Sequence, residues 1–124
     1  MRGDSSGQAT VELALTLPLI AVLLAVIVEV GGLALDNVRL WHATREAVRI
    51  ASVDRDPEQT KAAAERAGLE GLSIEIAPDP AARRRGEPVR VEIAYHPRGS
   101  VPLIGELFEG IELRANASMR IEEP

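Results

Sequence analysis

The segment Gly7-Gln8-Ala9-Thr10-Val11-Glu12 stands directly before a long apolar run. Two kinds of chemistry are open to it. The first is cleavage: the bond after Gly7 lies at the mouth of the run, five residues before a Glu, where a processing peptidase can cut. The second is ion pairing. Val11 to Leu35 is almost uninterrupted hydrocarbon, yet Glu12 sits at its start. An ionisable residue at the edge of a membrane segment is costly without a partner, so Glu12 is a functional candidate by default.

Other chemistries find little support. His42 and His96 are far apart in sequence, with no carboxylate or second His at ligand spacing, so no metal site is expected. The serines have no nucleophile-elbow context, and no glycine-rich phosphate loop follows a strand. There is no cysteine. Trp41, Tyr95 and Phe108 are the only aromatics, too few for base stacking or ligand cages. Net charge is −5, and residues 36–124 hold 13 Lys and Arg against 16 Asp and Glu. That acidity argues against nucleic acid, which needs a basic face. The one basic cluster, Arg83-Arg84-Arg85, lies between Pro80 and Pro88 beside Gly86 and reads as a solvated turn. No enzyme, cofactor or small-molecule substrate is expected.

The element that must position Gly7 and Glu12 is the apolar run. Leu13 to Val28 carries no charge, and Gly31 to Leu35 extends it past Glu29. A bilayer core needs about 20 apolar helical residues. On a helix, Glu12 and Glu29 are roughly 25 Å apart, so both can sit near opposite membrane boundaries. Pro18 would kink such a helix without ending it. Three readings compete: a secretory signal with a small-residue site at Gly32-Leu33-Ala34, a plain single-pass anchor, and a leader cut before a helix that is kept. The six-residue leader Arg2 to Gly7, the Gly7-Gln8 junction and Glu12 fit the third. The positive-inside rule counts Arg39, Arg45 and Arg49 against Arg2 and points the other way.

Beyond the run, Leu40, Trp41, Thr44, Ala47, Val48 and Ala51 share one helical face, opposite Asp36, Arg39, His42, Glu46 and Arg49. One helix from about Gln8 to Val53 is expected, with Gly31-Gly32 as its weak point. Asp56-Pro57 starts a second helix, 57–67, stopped by Gly68. Three strands with period-two alternation follow at 72–77, 89–95 and 111–121. Each has one apolar and one charged face, as in an antiparallel sheet covered on a single side. The fold class is therefore α+β: a long N-terminal helix and a second short helix packed on a three-stranded antiparallel sheet. The expected division is a leader at 1–7, a transmembrane helix at 8–35 and an extracytoplasmic domain at 36–124.

The connection His96 to Gly110 is not an ordinary loop. Leu103, Ile104, Leu107 and Phe108 stand in it among Gly and Pro. They either close the open end of the core or offer a contact to a neighbouring subunit or the membrane surface.

The stretch Gly7 to Leu35, then an amphipathic helix and a small β domain ending Ala115-Asn116-Ala117-Ser118-Met119-Arg120-Ile121-Glu122, resembles the TadE-like pseudopilins. These are pilin-like minor subunits of the bacterial tight-adherence (Flp type IV pilus) machinery. The resemblance extends over nearly the whole chain. Its specific parts are the Gly-x-x-x-x-Glu junction, Pro18 and the closing strand; Leu13 stands where relatives often carry an aromatic. It implies that a prepilin peptidase cuts between Gly7 and Gln8 on the cytoplasmic side, leaving the C-terminal domain outside the membrane. The α-amine freed at Gln8 lies one helical turn from Glu12, and in low dielectric the carboxylate and an adjacent subunit's ammonium would satisfy each other. The implied partners are the membrane, prepilin peptidase, other pilin subunits and the inner-membrane assembly platform. Two other outcomes stay open: a single-pass protein whose outer domain binds a ligand or partner, and a secreted domain freed near Ala34.

Overall fold

The computed structural model describes residues 4–122, so the first three residues of the expected leader lie outside the described residues. The long helix, α1, runs unbroken from Asp4 to Val53. At about 1.5 Å per residue its 50 residues make a rod of roughly 75 Å. It passes through Pro18 and Gly31-Gly32 without interruption. Pro18 removes one backbone donor, and the helix continues past it.

The second helix, α2, spans Pro57–Glu65. Asp56 caps it, accepting a hydrogen bond from the Glu58 N–H at 3.0 Å, and Pro57 supplies a first-turn residue that needs no donor. Its helical bonds end at Glu65, two residues short of the expected 67. Gly68, at φ 81°, then turns the chain away through the left-handed region that glycine enters freely. Thr60, Ala63 and Ala64 bury its small apolar face.

The three strands are β1 (Ser73–Ala77), β2 (Pro88–Tyr95) and β3 (Leu113–Arg120). They form one antiparallel sheet in the order β1-β2-β3. Ile74 faces Ile93 across the first ladder, and Ile93 faces Ala115 across the second. The alternation read from the sequence holds best in the centre: Val89, Val91, Ile93 and Tyr95 point inward, and Arg90 outward. At the ends of the third strand it weakens. Ile111 precedes the ladder and Met119 is exposed, while Ile121, just past the strand, returns to the core.

One core joins the layers. Leu40, Ala43, Ala47, Val48 and Ala51 of α1 meet Val89, Val91, Ile93, Ala115 and Ile121, with Ala64 and Leu69 at the side. Trp41 departs from the expected face: it is 38% exposed and Ala43 takes the inward position.

Arg83 is the larger correction. It is only 3% exposed, not a solvated turn residue. Its Nη1 donates to the carbonyls of Ala51 (3.4 Å) and Asp54 (3.2 Å), and its Nε to that of Pro78 (3.1 Å). The guanidinium thus satisfies carbonyls that the end of α1 leaves without partners, at the negative pole of the helix dipole. Burial and, next, neighbouring Arg55 lower its pKa, opposed by Asp54 and Asp79.

Candidate processing and assembly site

The sheet fixes the domain's orientation along α1. At its far end, the Glu122 N–H bonds the Ser52 carbonyl (3.0 Å), close to where β3 meets the start of β2. At its near end, Tyr95 lies within electrostatic reach of Asp36 and Arg39. The domain therefore hangs alongside the C-terminal half of the rod, and everything N-terminal to residue 25 projects beyond it. From Ser5 to Leu24 every side chain is exposed. Leu15, Leu19, Leu23 and Ile27 are all more than half exposed. This helix is long and apolar enough to cross a membrane.

Gly7, Gln8 and Glu12 all lie on the exposed first turns of α1. A Cβ placed on Gly7 meets no atom within 4 Å, so packing does not demand glycine there. The Gln8 amide donates to Glu12 Oε1 at 3.3 Å, bringing the two residues together across one helical turn. Thr16 donates its hydroxyl to the Glu12 carbonyl at 2.6 Å, and Thr10 donates to that of Ser6 at 2.9 Å. These threonines satisfy polar atoms within the helix and leave the Glu12 carboxylate outward.

The second acidic residue of the run behaves in the opposite way. Glu29 is 3% exposed. Both of its oxygens accept from the Ser100 N–H, at 3.0 and 3.1 Å, and Oε2 also accepts from the Val101 N–H at 3.0 Å. The connection between β2 and β3 therefore reaches down the rod to Glu29 and straddles Gly32, where an added Cβ would lie 3.9 Å from Ser100 Oγ. Reading Glu29 only as a boundary charge missed this. The signal in the sequence was the loop's excess of apolar residues, which said that it packs on something without saying on what.

That loop contains a short 3₁₀ turn, Gly105–Phe108. Gly99 and Gly105 touch backbone to backbone; a Cβ on Gly99 would come within 2.2 Å of the Gly105 Cα. The four apolar candidates divide. Ile104 and Phe108 are half-buried, whereas Leu103 and Leu107 are 77% and 78% exposed. Leu103 adopts φ 68°, a left-handed conformation that is uncommon for a leucine.

On the outer sheet face, His96 Nε2 lies 3.1 Å from Glu112 Oε2, a pairing not evident from their sequence separation. Arg114 bonds Glu112 and reaches Glu92 at 3.4 Å. This is an exposed cross-strand charge ladder. Among the described residues no group of three or more acidic, His or Cys side chains is arranged to hold a metal ion. The hollow between Glu70-Gly71 and His96-Gly99 is open and polar.

Comparison with known families bears on the exposed end of the rod. Residues 7–49 match the family described as TadE-like protein. The match begins at Gly7, crosses Glu12 and the apolar span, and ends within the amphipathic part of α1. It covers about a third of the chain, where the resemblance read from the sequence extended over nearly all of it. No curated protein and no solved structure matches the chain. The TadE-like match and the membrane-length helix together support a membrane-anchored, pilin-like protein of the tight-adherence system. TadE-like proteins are a structural, pilin-type family.

Proposed function

We propose that this chain is a minor pilin, or pseudopilin, that assists assembly of a tight-adherence (Flp type IV) pilus after a prepilin peptidase removes residues 1–7. The observation that carries this is the family match starting at Gly7, on a helix whose first turns are unpacked and open to a protease. Cleavage converts the Gln8 nitrogen into an ammonium. Glu12, exposed and bonded only to the Gln8 amide among the described side chains, is then the fifth residue of the mature chain. In hydrocarbon that carboxylate needs a charged partner, and the ammonium of an adjacent subunit supplies one and sets the register between helices. The C-terminal domain lies outside the membrane, held at its surface by α1.

Intact mass and N-terminal sequence of the membrane-extracted protein test the processing step. A chain beginning at Gln8 supports it; an intact Met1 start reduces the protein to a plain anchored one, and a start near Leu35 makes it a secreted domain. Gly7→Ala is a clean probe because the added methyl meets nothing in the fold. The variant is expected to insert normally and retain its full mass, and normal processing would count against cleavage there. Glu12→Ala is expected to be processed and inserted but to abolish assembly; normal piliation with that variant would sink the pairing role.

A further inference from the structure

The level of the β2–β3 loop along the rod carries a consequence for the domain's relation to lipid. The sheet end at Ser52, the sheet end at Asp36–Arg39 and the loop at Glu29–Gly32 descend α1 in order. Over these 23 residues the rod advances about 35 Å toward the apolar span. The loop is thus the membrane-proximal end of the domain. The uncharged stretch between Glu12 and Glu29 measures roughly 25 Å, slightly less than a hydrocarbon core of about 30 Å. With Glu12 at one boundary, Glu29 is drawn to the other or just inside it. A bare carboxylate there would be costly, and the loop removes that cost by covering Glu29 and donating three backbone hydrogen bonds to it.

A loop fixed at this depth brings its own exposed residues to the same boundary. Leu103 and Leu107 are among the most exposed apolar side chains outside the span, and they are held by a pinned backbone. Glu29 anchors residues 100 and 101, the Gly99–Gly105 contact closes the loop's neck, and Ile104 and Phe108 face inward. The left-handed Leu103 is part of the turn that leaves the two leucines outward.

We infer that residues 100–108 form a membrane-seated foot, with Leu103 and Leu107 inserted at the headgroup–hydrocarbon boundary of the leaflet beside the domain. Its occupant is lipid, because the loop that carries the exposed leucines is tied to Glu29, at the level where Ile27, Val28 and Val30 continue the exposed apolar surface of α1. The contact is apolar and not electrostatic. Arg98, Glu106 and Glu109 leave this end without a basic patch, so zwitterionic lipid suffices. The inference rests on the anchored reading of α1 and adds a second point of attachment to it.

The absence of native cysteine makes the test direct. Full-length chains with a single Leu103→Cys, Leu107→Cys, Leu19→Cys or Ser118→Cys substitution are nitroxide-labelled and reconstituted in phosphatidylcholine vesicles. Collision with oxygen, which partitions into lipid, is compared with collision with a water-soluble nickel chelate. The expected result is an oxygen-to-chelate ratio several-fold higher at 103 and 107 than at 118, and highest at 19. Glu29→Ala in the Leu107→Cys chain should return that ratio to the Ser118 value, and the same change in the Leu19→Cys chain should leave its ratio unchanged; a lipid-like ratio at 107 would overturn Glu29 as the tether. Water-like ratios at 103 and 107 with a lipid-like Leu19 would overturn the foot and leave the anchor standing. A water-like Leu19 would refute the anchor and the foot together. Protection from both reagents, with spin–spin broadening that vanishes on dilution with unlabelled chain, would replace lipid by a second copy.

Discussion

One helix serves two solvents. Between Leu13 and Leu24 α1 is apolar nearly all round and packs on nothing; between Leu40 and Ala51 it is apolar on one face and buries that face against β2 and β3. The backbone is the same in both halves, so the difference lies in the width of the apolar stripe. Fully burying a Leu, Ile or Val contributes about 1.5–3 kcal/mol, and the bare half has no protein surface against which to gain it. The packed half gains it from 13 buried core residues shared with the sheet and α2. The contrast teaches that hydropathy around the helix, and not helix propensity, decides which portion belongs to water.

The largest effect that sharpens this contrast is a pair of truncations. Leu40→Ala removes the largest fully buried side chain of the core and should cost the domain about 2–5 kcal/mol. Leu19→Ala, at an exposed site in the span, should leave domain stability within about 0.5 kcal/mol of the parent. Denaturant unfolding in detergent, followed by the fluorescence of Trp41 on α1, reads both; equal losses would break the distinction between the halves. Next in size is Arg83→Met. It keeps an apolar stem but orphans the carbonyls of Ala51, Asp54 and Pro78, and should cost about 1–3 kcal/mol by the same measurement. An unchanged midpoint would mean that the packed half needs no closure at its end.

The smallest effect concerns Tyr95, at the end of β2 near Asp36 and Arg39 of α1. Burial, and then Asp36, raise its pKa above the ordinary value of about 10. A raised folded pKa gives stability that is present in full below the unfolded value and is lost as pH climbs through the folded one. As the only tyrosine, its phenolate absorbance can be followed alone. The midpoint should exceed that of the unfolded chain, and Tyr95→Phe should flatten the alkaline loss of stability. Coincident midpoints would place Tyr95 in water.

Most of the architecture was legible because its determinants are local. Period two marked the strands, a wide and then a narrow stripe marked the two halves of α1, and Asp56-Pro57 and Gly68 marked the limits of α2. The residues misread are those whose environment comes from far along the chain. Arg83 sits in a Pro- and Gly-rich turn that looks solvated, yet its partners lie 29 and 32 residues earlier. Glu29 reads as an interfacial charge until a loop 71 residues later covers it. His96 and Glu112 meet only because β2 and β3 pair. Of the proposed site, the proximity of Gln8 and Glu12 was visible from helical spacing, whereas the division of Leu103 and Leu107 from Ile104 and Phe108 depends on a turn geometry that alternation does not encode.

Because α1 continues without a joint from residue 4 to residue 53, angular phase is conserved along it. Each residue advances the helix by about 100° and 1.5 Å. The compass bearing of the C-terminal domain is thus dictated by the bearing of Glu12 near the other end of the rod. A single residue inserted in the span would swing the whole sheet by more than a quarter turn while hardly raising it, whereas seven inserted residues would lift it by about 10 Å and nearly restore its azimuth. The rod behaves as a keyed shaft, and its length is written in turns as much as in ångströms.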